Sequence, residues 1–131
     1  MDTGPLVALL HPRDKGHEQC RDFLAEYRGV LIATEPVLTV ATHLLARVPG
    51  GPSACLDWFL RGAATLVPLT MESLARCRRL MDQYRDVPMD FADATLVTLA
   101  EETGIRDVFT LDRRGFRAYR TVSREAFRLW P

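Results

Sequence analysis

Apolar residues recur along the chain with two different periods, which predicts helices separated by short strands. In residues 17–28, Cys20, Phe23, Leu24 and Tyr27 follow the i, i+3, i+4, i+7 spacing of a helix. The same spacing predicts helices over 35–47, around 55–59, over 71–85 and over 90–103. Compact apolar runs bounded by turn residues predict strands at 29–33, 64–69 and 107–111, and the tail after 116 has room for one more.

The alternation of strands and helices predicts an α/β fold with a mostly parallel sheet, in one domain over residues 1–131. Ligands of such sheets bind beyond the carboxyl ends of the strands. Glu35 and Asp112 each follow a predicted strand, and Asp93 opens a predicted helix. We therefore expect these three acids on one rim of the domain.

The stretch VPMDFADATLVTLA at 87–100 places two carboxylates at the start of an apolar helix. Asp90 is a good N-cap, and capping alone explains it. Asp93 is followed by apolar residues at i+3, i+4 and i+7, so it lies on the apolar face. A carboxylate there is costly unless it is paired, hydrogen-bonded or bound to metal. Asp93 is therefore either a partner of the helix dipole or a ligand.

Several acids on one rim, without a cluster of cysteine or histidine, favour a hard divalent cation with oxygen ligands. Asp2 precedes the apolar run LVALL at 6–10 and would join this rim if a strand preceded it. Mg²⁺ or Mn²⁺ held in this way activates water and offsets charge on a phosphodiester. Scattered acids are common in α/β domains, so this spacing alone is a weak signal.

The charge balance is neutral, but its distribution is uneven. Of the 17 basic residues 16 are arginine, and six of these fall between 113 and 128. Arginine binds phosphate well, which makes Arg113, Arg114 and Arg117 candidate RNA-binding residues. The alternative is a solvated face in an arginine-rich composition.

The three cysteines, Cys20, Cys55 and Cys77, lie among apolar residues and form no CxxC motif. Buried free thiols are a better interpretation than a metal site or a disulfide, and they fit a reducing compartment. The apolar runs are too short to span a membrane, and no secretory leader pattern is visible at the N-terminus. We therefore expect a cytoplasmic protein.

Several segments, in order, resemble the PIN domain family, and most closely the VapC-like toxins of bacterial toxin–antitoxin pairs. They are DTGPLVALL at 2–10, His17, the helix start TEPVLT, MDFADATLVTLA at 89–100 and FTLDRRGF at 109–116. The resemblance covers essentially the whole chain. Its most specific parts are the stretch from Asp93 to Ala100 and the T-x-D-x-x-x-F pattern from Thr110 to Phe116.

The resemblance implies a three-layer α/β/α sandwich on a mostly parallel sheet, and a ribonuclease that depends on Mg²⁺ or Mn²⁺. It implies that Asp2, Asp93 and Asp112 are the catalytic and metal-binding acids, with Thr110 as the hydroxyl neighbour of Asp112. Asp90 matches a position that is often acidic in close relatives. The resemblance also implies a homodimer that is neutralised by a cognate antitoxin peptide.

Two departures from the family pattern stand out. The family has a glutamate six residues beyond the hydroxyl residue that starts the helix after the second strand, and counting from Thr34 gives Val40. Glu35 lies on the same predicted helix and either compensates or has a first-turn or salt-bridge role. In the family an apolar strand precedes the first acid, whereas only Met1 precedes Asp2. Either the sequence starts late, or the central strand is truncated or supplied otherwise.

Two functions remain open from the sequence. The first is a metal-dependent endoribonuclease toxin. The second is a catalytically weakened PIN-like protein that binds RNA or an antitoxin without cleavage, which Val40 favours. An α/β phosphotransferase is a weaker third class, because Asp2-Thr3-Gly4 lacks the second acid of the DxD pattern that such enzymes usually carry.

Overall fold

A computed structural model describes all residues, 1–131, as seven α-helices, one short 3₁₀ helix and four short strands. The helices are α1 (Thr3–Leu10), α2 (His17–Glu26), α3 (Glu35–Leu44), α4 (Gly51–Leu60), α5 (Met71–Gln83), α6 (Phe91–Thr103) and α7 (Arg113–Ala118). The 3₁₀ helix spans Leu45–Arg47. The strands are β1 (Ile32–Thr34), β2 (Thr65–Val67), β3 (Asp107–Phe109) and β4 (Arg128–Trp130).

The strands form two parallel pairs. Strand β1 pairs with β2 in the register Ile32 to Thr65, and β3 pairs with β4 in the register Asp107 to Arg128. The two pairs share no hydrogen bonds with each other. Between them lie only Met1 and Asp2, whose backbone nitrogens donate to Ile32 O at 2.6 Å and to Phe109 O at 2.9 Å.

Helix α6 lies at the centre of the structure. Every residue from 92 to 100 is buried except Asp93, which is half-buried. Asp90 caps the helix through the backbone N–H of Asp93, and Gly104 ends it in the left-handed conformation. Helix α6 thus holds Asp93 in its first turn, at the edge of the core.

The structure confirms the α/β class and most of the predicted elements. The predicted helix at 71–85 is α5, and the predicted last strand is β4. Helix α1, over the apolar run at 6–10, and the six-residue helix α7 were not predicted. Thr34 precedes α3, but its hydroxyl makes no cap and instead lies 2.6 Å from the hydroxyl of the buried Thr95.

All three cysteines are free and buried, as predicted. None of the helices is long and apolar enough to cross a membrane.

Candidate active site

The family resemblance assigned four aspartates to the site, and three of them are N-caps of helices. Asp2 is the N-cap of α1, Asp90 of α6 and Asp112 of α7, and each side chain accepts a backbone N–H of its helix. The capping role is therefore real for all three. It also means that the N-terminal ends of three helices lie beside these acids.

A single hydroxyl links two of the acids. Thr110 Oγ1 donates to Asp2 Oδ2 at 2.6 Å and accepts the backbone N–H of Asp112 at 2.9 Å. The other oxygen of Asp2 accepts the backbone N–H of Thr3 at 2.6 Å. Asp2 and Thr110 are both buried. Thr110 therefore fixes the rotamer of Asp2 and the backbone from which Asp112 projects.

Asp93 has one side-chain donor for its carboxylate, the hydroxyl of Tyr119. The hydroxyl of Tyr119 lies 3.2 Å from Asp93 Oδ2 and 3.1 Å from the carbonyl oxygen of Pro88. The ring of Tyr119 is fully buried and makes edge contacts with Phe116 and Tyr84. Tyr119 therefore orients Asp93 from a rigid position.

Asp2, Asp90 and Asp93 repel each other, and no basic side chain forms an ion pair with them. Burial raises the pKa of Asp2 above its ordinary range. Burial, followed by repulsion from Asp90 and Asp2, raises the pKa of Asp93 from 3.8 to about 7. None of Asp2, Asp90, Asp93 and Asp112 takes part in an ion pair. Buried carboxylates without an ion-pair partner are costly when they are ionised, and a bound cation would offset that cost.

The donor set fits a hard divalent ion in chemistry, although the ligands are not gathered into a complete cage. All candidate ligands are carboxylate oxygens, and Thr110 and Tyr119 supply the outer hydrogen bonds that usually orient such ligands. No group of three or more acidic, histidine or cysteine side chains stands close enough to hold an ion by itself. Mg²⁺ ordinarily keeps several waters and takes one or two protein carboxylates, so an open site suits it.

Val40 lies in the wall of a cavity that also contains Glu35 and Asp90. The cavity has a volume of about 540 Å³ and opens beside the start of α6. Glu35 is exposed at the first position of α3, and Val40 is half-buried and packs against the core. The structure thus places Glu35 near Asp90, one turn and more away from Val40 along α3.

The candidate RNA-binding arginines project from α7, which Asp112 caps. Arg113, Arg114 and Arg117 are all exposed, and none is paired with a carboxylate. Arg113 donates to the carbonyl oxygen of Pro131. The guanidinium groups of Arg114 and Arg117 make no hydrogen bond within the chain, so they are free for an anion beside the acidic rim.

Two residues of the site were missed by sequence reasoning. Tyr119 follows α7 and meets Asp93 only through the fold, since 26 positions separate them. Gly115 is needed for space, because a Cβ there would lie 2.6 Å from Asp112 Oδ2 and 2.9 Å from the Tyr119 hydroxyl. The only available signal was the tyrosine three residues after Phe116, and it carries no chemistry in isolation.

Comparison with known protein families identifies the class to which this fold belongs. The family model of the PIN domain matches residues 1–121. The chain belongs to the PIN domain family.

Two proteins of the VapC group are similar to this chain. Ribonuclease VapC26 of Mycobacterium tuberculosis is 26% identical over 133 residues, which span 100% of this chain and 98% of that protein. A crystal structure of VapC20 of Mycobacterium tuberculosis, described as a toxin that cleaves the sarcin–ricin loop, has a TM-score of 0.75 and 20% identity. The match covers 81% of this chain and 83% of VapC20, and it shows a shared fold.

Proposed function

We propose that the protein is a metal-dependent endoribonuclease, the toxin of a type II toxin–antitoxin pair. The observation that carries the proposal is a group of carboxylates that accept hydrogen bonds from Thr110 and Tyr119 but form no ion pair with a basic side chain. The full-length similarity to a ribonuclease of the VapC group supports RNA as the substrate.

In this proposal Asp2, Asp93 and Asp112 hold Mg²⁺ or Mn²⁺, with Asp90 as a supporting acid. The ion would supply a Lewis acid for the phosphodiester and lower the pKa of a bound water. The chain's own contribution is to hold the carboxylates in place. Thr110 fixes Asp2, and Tyr119 fixes Asp93.

The RNA backbone would lie along α7. Arg114 and Arg117 carry unpaired guanidinium groups next to the acids, and Arg113 begins the same helix. Guanidinium forks bind phosphate oxygens in pairs. These arginines would bind phosphates on each side of the reacting bond and would not distinguish between bases. Because such contacts release counterions, the affinity for RNA would fall steeply with salt concentration.

A second function has its own supporting observation. Val40 stands where the family has a glutamate, and a valine neither ligates an ion nor orients water. A protein with this substitution would bind RNA or an antitoxin peptide without cleavage. Glu35 decides between the two functions, since it shares a cavity with Asp90 and compensates only if it reaches the ion.

The remaining partners follow from the same proposal. A toxin of this class would act in the cytoplasm, where its three thiols stay reduced. It would form a homodimer and be neutralised by a cognate antitoxin peptide. A basic side chain of that peptide would fit the unpaired acids of the rim.

The test is cleavage of mixed cellular RNA by the purified protein with Mn²⁺, Mg²⁺ or EDTA. Asp93→Asn and Val40→Glu are compared with the starting protein. Asparagine keeps the size and the polar character of residue 93, so loss of cleavage would report the lost charge. We expect discrete fragments that EDTA abolishes and that Asp93→Asn does not produce.

The other outcomes separate the two functions. An inactive starting protein with activity in Val40→Glu would mean a weakened site on an intact scaffold. RNA binding without cleavage in either metal, by all three proteins, would contradict the nuclease and support the binding module.

A further inference from the structure

The cavity beside the start of α6 has an apolar lining and an aromatic edge. Its volume is about 540 Å³. Val40 and Leu69 line it and are half-buried, and Ala92 lines it and is buried. Phe91, the first residue of α6, also lines it and is 37% exposed. An apolar cavity beside an exposed ring suits a flat ligand with apolar faces.

The ring of Phe91 is available for stacking. It borders a second cavity of about 520 Å³, which Met71 and Leu74 line along α5, so it is reached from two sides. Phe91 takes part in none of the aromatic contacts within the chain. Unpaired bases of RNA stack on exposed aromatic side chains of this kind.

The polar part of the lining consists of Glu35, Thr39 and Asp90. Glu35 forms no ion pair, and its hydrogen bond with Thr39 uses its backbone carbonyl. The carboxylate of Glu35 is therefore unpartnered and exposed beside the cavity. An ionised carboxylate only accepts hydrogen bonds, so it favours a base that carries an exocyclic amino group.

The cavity adjoins the candidate active site. Asp90 lines the cavity and also accepts the backbone N–H of Asp93 at 2.8 Å. A nucleotide whose phosphate lies at Asp93 can therefore place its base beside Phe91. An apolar peptide in the same place would bury the charges of Glu35 and Asp90 without partners, which is costly. A base offers apolar faces to the lining and a polar edge to the carboxylates.

We propose that this cavity binds one unpaired base of the RNA substrate, stacked on Phe91, with its exocyclic amino group donating to the Glu35 carboxylate. The inference rests on the proposed function in taking RNA as the substrate. It specifies that substrate as a single-stranded segment with cytosine, adenine or guanine beside the reacting bond, in preference to uracil. A base within a duplex is excluded, because its faces are stacked and its edge is paired.

The stacking contact is tested with a single-stranded oligouridylate of about eight nucleotides that carries one 2-aminopurine, whose fluorescence falls on stacking. Ca²⁺ replaces Mn²⁺, so that binding is followed without cleavage. We expect quenching by the starting protein and by Phe91→Tyr, which keeps the ring. Phe91→Ala should bind about tenfold more weakly. Tyr27→Ala removes an aromatic ring of matched exposure, 38%, and should leave binding unchanged. Circular dichroism shows whether each variant is folded.

The choice of base is tested with oligocytidylate and oligouridylate of equal length. We expect the starting protein to bind the cytidine oligomer about fivefold more tightly. Glu35→Gln should bind both equally, because an amide donates as well as accepts. Glu72→Gln makes the same change in the first turn of α5, outside this cavity, and should keep the preference.

The outcomes separate this inference from the nuclease. Equal binding by Phe91→Ala and the starting protein would overturn the base cavity and leave the nuclease in place. Binding that depends on Phe91, without cleavage in Mn²⁺, would support the cavity and contradict only the nuclease. A dimer that dissociates in Phe91→Ala, with no quenching of the probe, would overturn the inference, because the cavity would then be covered by a second copy of the chain. Loss of Mn²⁺ binding in Glu35→Gln would overturn the role of Glu35 towards the base.

Discussion

Two aspartates of the same structure have opposite electrostatic environments. Asp107 begins β3 and receives hydrogen bonds from the guanidinium of Arg128 and the indole of Trp130, which lower its pKa to about 2. Asp93 begins α6 among other acids, and its pKa is raised to about 7. The first aspartate has its cation within the chain. The second lacks one, which marks the rim as the place where a cation from outside would be bound.

The largest expected difference between the two aspartates is in how their substitution changes the free energy of unfolding of the metal-free protein. The pKa of Asp93 is raised from 3.8 to about 7 in the folded protein. Its contribution to the free energy of unfolding is therefore fully present below pH 3.8, and it is lost as the pH rises towards 7. Asp93→Asn removes this loss. We expect it to stabilise the metal-free protein by about 2 kcal/mol at about pH 8, after allowance for solvent screening.

Urea unfolding in EDTA at about pH 5 and about pH 8 measures this effect, with Asp107→Asn as the matched control. The pKa of Asp107 is lowered, so its contribution is present above the ordinary value and is lost as the pH falls towards 2. Asp107→Asn should therefore destabilise slightly at both pH values, by less than about 1 kcal/mol. Destabilisation by Asp93→Asn at about pH 8 would show that capping and packing outweigh repulsion.

The hydroxyl of Tyr119 offers a second test of the Asp93 environment, because it is the side-chain donor to the Asp93 carboxylate. Tyr119→Phe keeps the buried ring and removes the hydrogen bond. We expect the pKa of Asp93 to rise further and the affinity for Mn²⁺ to fall about tenfold, as is typical for an outer partner of a ligand. Carbon NMR of the Asp93 carboxyl measures the pKa. An unchanged titration with weaker Mn²⁺ binding would mean that the tyrosine acts only through packing.

The arginines near the two aspartates are expected to differ as well, with the smallest effect. Arg114 is unpaired beside the acidic rim, whereas Arg128 is paired with Asp107. Arg114→Ala should weaken RNA binding about threefold at low salt and reduce the salt slope by about one phosphate contact. Arg128→Ala should leave RNA binding nearly unchanged. Equal losses in fluorescence anisotropy would indicate a diffuse basic surface instead.

The sequence predicts this structure best where local signals agree. Helix α6 was predicted because an N-cap, a glycine end and a run of apolar residues all lie within 90–104. Helix α7 was missed, since RRGFRA has no apolar period and depends on the cap from Asp112. The candidate acids were predicted from their positions, Glu35 and Asp112 after strands and Asp93 at the start of a helix.

The partners of these acids could not be predicted in the same way. The contact of Thr110 with Asp2 joins residues 108 positions apart, and that of Tyr119 with Asp93 joins residues 26 apart. Neither contact has a periodic signal.

The central claim is that the unpaired acids of the rim form a divalent-cation site. Titration calorimetry of Mn²⁺ into the protein, Asp93→Asn and Asp107→Asn tests it most directly. The account predicts specific binding to the starting protein and to Asp107→Asn, and its loss in Asp93→Asn. Binding that survives unchanged in Asp93→Asn, or no binding to the starting protein, would contradict the claim.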